Sequence, residues 1–274
     1  MNTVKKKKIR LDMLLVERGL FPSREKARAA IMAGEILVNE IKIDKAGTAV
    51  DEQSDIRIIG KRLPFVSRGG LKLQKAIEVF GIDFNDLTVI DIGASTGGFT
   101  DCALQHGAKK VYAIDVGHNQ LAWPLRNDDR VIVMEKTNAR YLDKEILNDD
   151  ADILVADVSF ISLTLAMPAA IKNHLKPYGH VMCLIKPQFE AGRDAVGKGG
   201  IVRDPSIHYQ VIEKIITAFA ELDLSVQALD YSPITGADGN IEYLIYAQKC
   251  GITQNVDINA VIKSAWAEHR NKEQ

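Results

Sequence analysis

The sequence of 274 residues has no run of about 18 apolar residues, so nothing in it reads as a membrane-spanning helix. Its start is basic, with Lys5 to Lys8, but no apolar core of about 7–15 residues follows, which argues against a secretory signal. Cysteine is scarce. Cys102, Cys183 and Cys250 are odd in number, widely spaced and without metal-ligand spacing, so neither a disulfide framework nor a metal site is expected. They read as reduced, mostly buried thiols of a cytoplasmic protein. There is also no large net charge: the formal total is −1.

That total hides an asymmetry. Residues 1–63 hold 14 Lys/Arg against 9 Asp/Glu, and the remainder holds 21 against 27. A basic first part joined to a mildly acidic second part suggests that the first meets a polyanion.

Within the first sixty residues, Leu11, Leu14 and Leu15 recur at helical spacing up to Gly19. Ser23 can cap a second helix whose buried stripe is Ala27, Ala30 and Ile31, with Gly34 as its stop. Arg24, Lys26 and Arg28 lie on the other face. Ile36–Val38 and Ile41–Ile43 read as strands around an Asn39-Glu40 turn, and Asp55–Ile59 as another strand. Arg10-Leu11-Asp12, Ser23-Arg24 with Ala27, and Gly34–Asn39 together resemble the alpha-L RNA-binding motif. The resemblance implies that Arg10, Arg24, Lys26 and Arg28 present cations to structured RNA, giving salt-dependent affinity with little sequence choice. The expected division is residues 1–60 for this small α+β domain, 61–66 for a short linker, and 67–274 for a second domain.

Past Gly70 the chain alternates. Expected elements are helix Leu71–Phe80, strand Thr88–Ile92, helix Gly98–Gln105 and strand Lys110–Asp115. Strands follow near Val131–Met134, Ile153–Asp157, His180–Ile185, Val226–Leu229 and Tyr243–Ala247, and helix Ile258–Ala267 closes the chain. The fold class is α/β, a doubly wound, mostly parallel sheet of seven strands covered on both faces. Ligands of such sheets sit at the carboxyl ends of the strands, near the point where strand order reverses.

Asp91-Ile92-Gly93-Ala94-Ser95-Thr96-Gly97-Gly98 stands at such an end. A dinucleotide fingerprint needs Gly-x-Gly-x-x-Gly, but Ser95 occupies its second glycine position. The spacing found resembles the first motif of class I (Rossmann-like) methyltransferases, which implies S-adenosylmethionine as cofactor. Asp91, Gly93 and Gly97 would then surround its amino-acid end, with Ala94, Ser95, Thr96 and Gly98 in the same loop. Asp115 would meet the ribose. Asn138 is either a neighbour of adenine or a helix-capping residue.

The acceptor is narrowed by what is missing. Asp157-Val158-Ser159-Phe160 lacks the prolines of amino-methylating enzymes, and Cys183 lies inside a strand without the Pro-Cys context of a nucleophile. Oxygen remains. Lys72, Asp157, Lys186 and Glu242 all sit where one cleft can collect them, and this set resembles the Lys-Asp-Lys-Glu tetrad of FtsJ-like ribose 2′-O-methyltransferases. On that reading Lys186 is the base, Asp157 orients it, Lys72 helps depress its pKa and contacts RNA, and Glu242 holds Lys72 or the acceptor ribose.

Ser67–Lys72, Lys186–Glu190, Gly197–Asp204 and Gly239–Tyr243 extend the likeness. With the N-terminal module, the chain resembles TlyA-type proteins over essentially its whole length. That family comprises ribosomal RNA cytidine 2′-O-methyltransferases, often labelled haemolysins. It implies ribosomal RNA or ribosomal subunits as partner, no membrane and no metal. Arg68 adds a cation near the proposed tetrad, and Lys198, Arg203 and the amides of Gly199 and Gly200 could contact phosphate, with a purely structural turn as the alternative. The competing functions are a membrane-active haemolysin and a non-catalytic RNA-binding ribosome-assembly factor.

Overall fold

The computed structural model describes residues 8–59, 63–236 and 238–270. Two compact units divide between Arg62 and Leu63. Lys61 and Arg62 of the expected linker, and Lys5 to Lys7, lie outside the described residues.

The first unit contains strands β1 (Lys8–Arg10), β2 (Ile36–Val38), β3 (Ile41–Lys42), β4 (Ala49–Asp51) and β5 (Ile56–Ile58), and helices α1 (Leu11–Glu17) and α2 (Arg24–Met32). The strands pair antiparallel as β1-β4 and β3-β2-β5. Asn39 and Glu40 both take positive φ, 51° and 64°, the geometry of the tight turn between β2 and β3. Ser23 caps α2 by accepting from the Lys26 N–H at 3.3 Å. Leu11, Leu14, Leu15, Ala27, Ile31 and Ile36 form the core, so α1 and α2 bury the stripes read from their spacing. Strands β1 and β4 were not expected. Three residues are too few to show alternation, and this pair forms only because the chain returns to set Val50 opposite Ile9.

The second unit is built on helices α3 (Gly69–Phe80), α4 (Gly98–Gln105), α5 (Trp123–Arg126), α6 (Leu163–Ala166), α7 (Pro168–His174), α8 (Pro187–Glu190), α9 (Pro205–Ala220) and α10 (Ile258–Arg270). Its strands are β6 (Thr88–Ile92), β7 (Lys110–Ile114), β8 (Val131–Met134), β9 (Ala151–Ala156), β10 (Leu175–Ile185), β11 (Leu224–Tyr231) and β12 (Tyr243–Lys249). They form one seven-stranded sheet in the order β11-β12-β10-β9-β6-β7-β8. Neighbours from β10 to β8 are parallel, whereas β12 runs antiparallel to both β10 and β11. Strand order reverses at β6, between β9 and β7, which opens a crevice beyond their carboxyl ends.

Both sheet faces are covered. One cluster joins Ile90, Leu154, Ile185 and Tyr243 to Met167, Ile171, Ile212 and Phe219, and the other joins Val89, Val155 and Leu184 to Leu73, Phe99 and Ala103. Phe65 and Val66 fall in the stretch expected to link the units, but they belong to the second. Phe65 is buried in its core, and the Val66 N–H donates to Asp101 Oδ2 at 2.7 Å. Strand β10 begins five residues earlier than the pattern suggested, because Lys176-Pro177-Tyr178-Gly179 forms an irregular register shift that interrupts alternation.

Candidate active site

Four charged side chains converge at the carboxyl edge of the sheet. Asp157 follows β9 and is fixed by its own N–H, which donates to Ile92 O at 3.1 Å. Its carboxylate lies between two ammonium groups, Lys186 Nζ at 2.6 Å from Oδ1 and Lys72 Nζ at 3.4 Å from Oδ2. Lys72, from the first turns of α3, also meets Glu242 Oε2 at 2.7 Å. Lys186 donates to Ser159 Oγ at 2.9 Å. The result is a continuous run of alternating charge, Glu242–Lys72–Asp157–Lys186, closed by a serine. Side-chain exposure falls from 17% at Asp157 to 9% at each lysine and 2% at Glu242. The Lys186–Asp157 and Lys72–Glu242 approaches are the closest of the run, at 2.6 and 2.7 Å.

Burial and pairing compete in this run. Burial pulls Lys72 down, but the charges of Asp157 and Glu242 outweigh it and raise its pKa above the ordinary lysine value. At Glu242 burial is the stronger influence, and its pKa is raised in spite of Lys72 and Lys186.

The glycine loop borders the same cleft. Gly93 has φ 82°, and a Cβ there would stand 2.8 Å from Asp157 O, so only glycine lets β6 and β9 end this close together. At Gly98 a Cβ would fall 2.3 Å from Ser67 Oγ; its absence allows the starts of α3 and α4 to touch. A cleft of about 480 Å³ is lined by Arg68, Lys72, Gly93–Thr96, Gly98, Asp157, Lys186, Gln188 and Glu242 among others. A second lobe of about 380 Å³ shares Gly93, Ser95, Asp157, Ser159 and Phe160 with it and reaches Asp115 and Asn138.

Not every expected cofactor residue faces this groove. Asp91 and Gly97 lie behind it. Asp91 is wholly buried, accepts from Thr100 Oγ1 at 2.6 Å through one oxygen, and leaves Oδ1 without a partner. Asp115 already accepts from the Ser95 N–H at 2.8 Å and the Gly117 N–H at 2.6 Å, and so holds the loop's shape. Asn138 does two things. It lines the second lobe and accepts from the Arg140 N–H at 3.1 Å, capping the short 3₁₀ turn 139–141.

The expected RNA contacts differ in freedom. Arg10 and Arg24 are tied to the inaccessible Asp12 at 3.0 and 2.9 Å, whereas Lys26 and Arg28 stand exposed with no ion pair among the described residues. Arg68 is exposed at the cleft. In the glycine-rich segment after α8, the Gly200 N–H donates to Gly197 O, the Gly197 N–H to Ile201 O, and Arg203 to Lys198 O. The Gly200 amide is therefore spent within a turn, while Lys198 remains exposed.

Sequence reasoning missed three residues here. Phe160 has φ 63°, is 91% exposed, and lies 5.0 Å from the Phe189 ring, forming an aromatic face at the cleft. Glu135, just past β8, accepts from the Asn119, Gln120 and Leu121 N–H groups and from Arg126. Ser159 touches Lys186. Ser159 and Phe160 stand in the string after β9 but their partners are distant in the chain, and Glu135 belongs to no spacing pattern.

Comparison with known proteins gives the family. Residues 65–249 match the model of the FtsJ-like methyltransferase family, and residues 9–56 match the S4 domain. Hemolysin A of Brachyspira hyodysenteriae is 44% identical over 87% of this chain and 99% of its own. The 16S/23S rRNA (cytidine-2′-O)-methyltransferase TlyA of Mycobacterium tuberculosis is 40% identical over 88% of this chain and 90% of its own. A solved protein of Streptococcus thermophilus with a provisional haemolysin name is 46% identical over 97% of this chain and 98% of its own, at a TM-score of 0.76. With a nucleotide-type groove, a buried run of two lysines and two carboxylates, and these matches, the chain belongs to the FtsJ-like methyltransferase family and carries an S4 domain ahead of its methyltransferase domain.

Proposed function

We propose that this protein transfers a methyl group from S-adenosylmethionine to the ribose 2′-hydroxyl of a cytidine in ribosomal RNA. The observation that carries the reading is the Glu242–Lys72–Asp157–Lys186 run beside the glycine loop. The groove suits the cofactor: Gly93, Ser95 and Asp157 line both lobes, and the glycine at 93 lets the loop lie against the Asp157 backbone. When bound, S-adenosylmethionine supplies a methyl group activated for attack by an oxygen held in line with it.

The chain's own residues then have distinct tasks. Lys186 Nζ, after giving up its own proton, takes the proton of the acceptor hydroxyl, and Asp157 and Ser159 fix where that nitrogen points. Lys72 contacts the RNA, and Glu242 holds Lys72 or the acceptor ribose. Phe160 and Phe189 give an unstacked base a face to rest on, as single-stranded or looped RNA requires. Lys26, Arg28, Arg10 and Arg24 bind the backbone from the S4 domain, and Arg68, Lys198 and Arg203 from the methyltransferase domain. A ribosomal substrate implies action in the cytoplasm.

The named substrate of the mycobacterial relative, a cytidine ribose in 16S/23S rRNA, supports this choice of acceptor. A membrane-active role, suggested by haemolysin names among relatives, has less behind it: no described helix is long and apolar enough to cross a membrane. The test is incorporation from radiolabelled S-adenosylmethionine into ribosomal subunits lacking the modification. Lys186→Ala should reduce the rate by about 100-fold or more, with a 2′-O-methylcytidine product from the wild type. Cofactor binding without any transfer would instead favour a ribosome-assembly factor.

A further inference from the structure

Glu190 is a buried carboxylate with no place in the cleft. It ends helix α8, four residues past Lys186, and lines neither lobe. Both of its oxygens are engaged. Oε2 accepts from Ser162 Oγ at 2.6 Å, and Oε1 accepts from the Leu163 N–H at 2.7 Å. Its charge is met by Lys214 of α9, a half-exposed cation 3.5 Å from Oε2 that also donates to Glu190 O at 3.0 Å. Short bonds to a charged acceptor are the strong kind, and these are sheltered from water.

What these bonds join matters more than their strength. One segment leaves β9 carrying Asp157, Ser159 and Phe160 and runs to Ser162 and Leu163; the other leaves β10 carrying Lys186 and Phe189 and runs to Glu190. The two meet at the cleft through Lys186, 2.6 Å from Asp157 Oδ1 and donating to Ser159 Oγ at 2.9 Å. They meet again where the Phe160 and Phe189 rings lie 5.0 Å apart. Glu190 closes the far end. Neither segment holds itself. Helix α8 is a single turn, which has little stability of its own, and the other segment passes through Phe160 at φ 63°, a backbone conformation that side chains rarely adopt. The place of Lys186 against Ser159 is therefore set by the cross-links.

We propose that Glu190 is a positioning residue for methyl transfer: it clamps the two segments together outside the cleft and so holds Lys186 Nζ where it can take the acceptor proton. This rests on the ribose-methylating function proposed above. Glu190 touches no substrate and acts through Lys186. With the clamp gone the segments can part, and a small displacement of a reacting group is costly to the rate.

The experiment measures kcat and KM for methyl transfer to ribosomal subunits, with cofactor affinity and stoichiometry alongside. Glu190→Ala removes both acceptors. Counted per bound cofactor, its kcat should fall about 10- to 100-fold, while KM and cofactor affinity stay within about threefold of the wild type. Glu190→Gln keeps the reach and loses the charge. Its amide oxygen can accept from the Leu163 N–H while its NH₂ donates to Ser162 Oγ, so most of the rate should return. Glu190→Asp keeps the charge and loses the reach, so it should be slower than Glu190→Gln. On a Lys186→Ala background, Glu190→Ala should cost about twofold at most, because the group it places is already gone. A simple loss of folded protein would instead carry through in full on both backgrounds. An unchanged kcat in Glu190→Ala, the reverse order of Glu190→Gln and Glu190→Asp, or a full further loss on the Lys186→Ala background overturns the inference and leaves methyl transfer standing. If the wild type transfers no methyl group, the proposed function itself fails, and the positioning role with it.

Discussion

A carboxyl group sealed behind the glycine loop, Asp91, titrates far from its usual range. Burial is the main cause; the Thr100 hydroxyl opposes it, and the total pushes the group up to about 7. An acid with a raised pKa in the folded state weakens the fold as pH climbs from about 4, where the unfolded chain releases the proton, through about 7, and the loss then persists. Asp91→Asn should therefore flatten the stability profile between those limits and raise the melting temperature at pH 8 in the absence of cofactor. Melts at pH 5 and pH 8 check this, and an identical pH dependence in both proteins would refute it. Asp12 behaves in the opposite sense. The Arg10 hydrogen bond, aided by Arg24 and resisted by burial, holds it at about 2, so its stabilisation is present above about pH 4 and fades only as the pH falls through 2. At this scale the sequence was readable where a side chain sits at a strand end, as with Asp157, Lys186 and Glu242. It was not readable at Ser159, Phe160 or Glu135, whose roles come from neighbours distant in the chain.

Among the elements, the segment after β7 depends most on a single residue. Glu135 collects three backbone N–H groups from 119–121 and the Arg126 guanidinium at 2.5 Å. Although burial opposes them, those bonds hold its pKa at about 2, so the anchor stays charged at neutral pH. Gln120 of this segment lines the second lobe, and Leu121 lies against Gly97. Replacing Glu135 with Gln should weaken cofactor binding roughly tenfold through loss of charge-assisted bonds, with the fold retained. Calorimetric titration reads this directly, and unchanged affinity would remove the segment from the binding surface. Most helices and central strands could be read in advance because periodicity and glycine stops agree there. The short pair β1–β4 and the interrupted start of β10 could not, since each depends on long-range pairing or on Pro177 and Gly179 within an apolar run.

For the molecule as a whole, the charge asymmetry seen in the sequence becomes a division of labour on the proposed reading. The S4 domain contributes exposed Lys26 and Arg28 without ion pairs among the described residues, while the methyltransferase domain holds Lys72 and Lys186 inside ion pairs at the cleft. Joint replacement of Lys26 and Arg28 by alanine should weaken RNA binding and reduce the salt dependence of log K by about 2, without changing the rate at saturating RNA. Filter binding across a salt series is the measurement. An unaltered slope would mean that these two residues do not touch phosphate.

The reversed strand β12 has a consequence for the order in which the protein becomes an enzyme. Because it runs against its neighbours, it begins at the sheet edge where they end, and this is how Glu242 reaches Lys72 across 170 residues of chain. A polypeptide still being synthesised, with β10 in the sheet but Tyr243 not yet added, would have a complete glycine loop and an open edge at β10, while the residues of β11 would still lack the strand they pair with. It would lack Glu242 and be prone to associate through that edge. On the proposed reading the site is completed by the last strand, in a single late insertion, so the newborn chain passes through its most vulnerable state just before that site is whole.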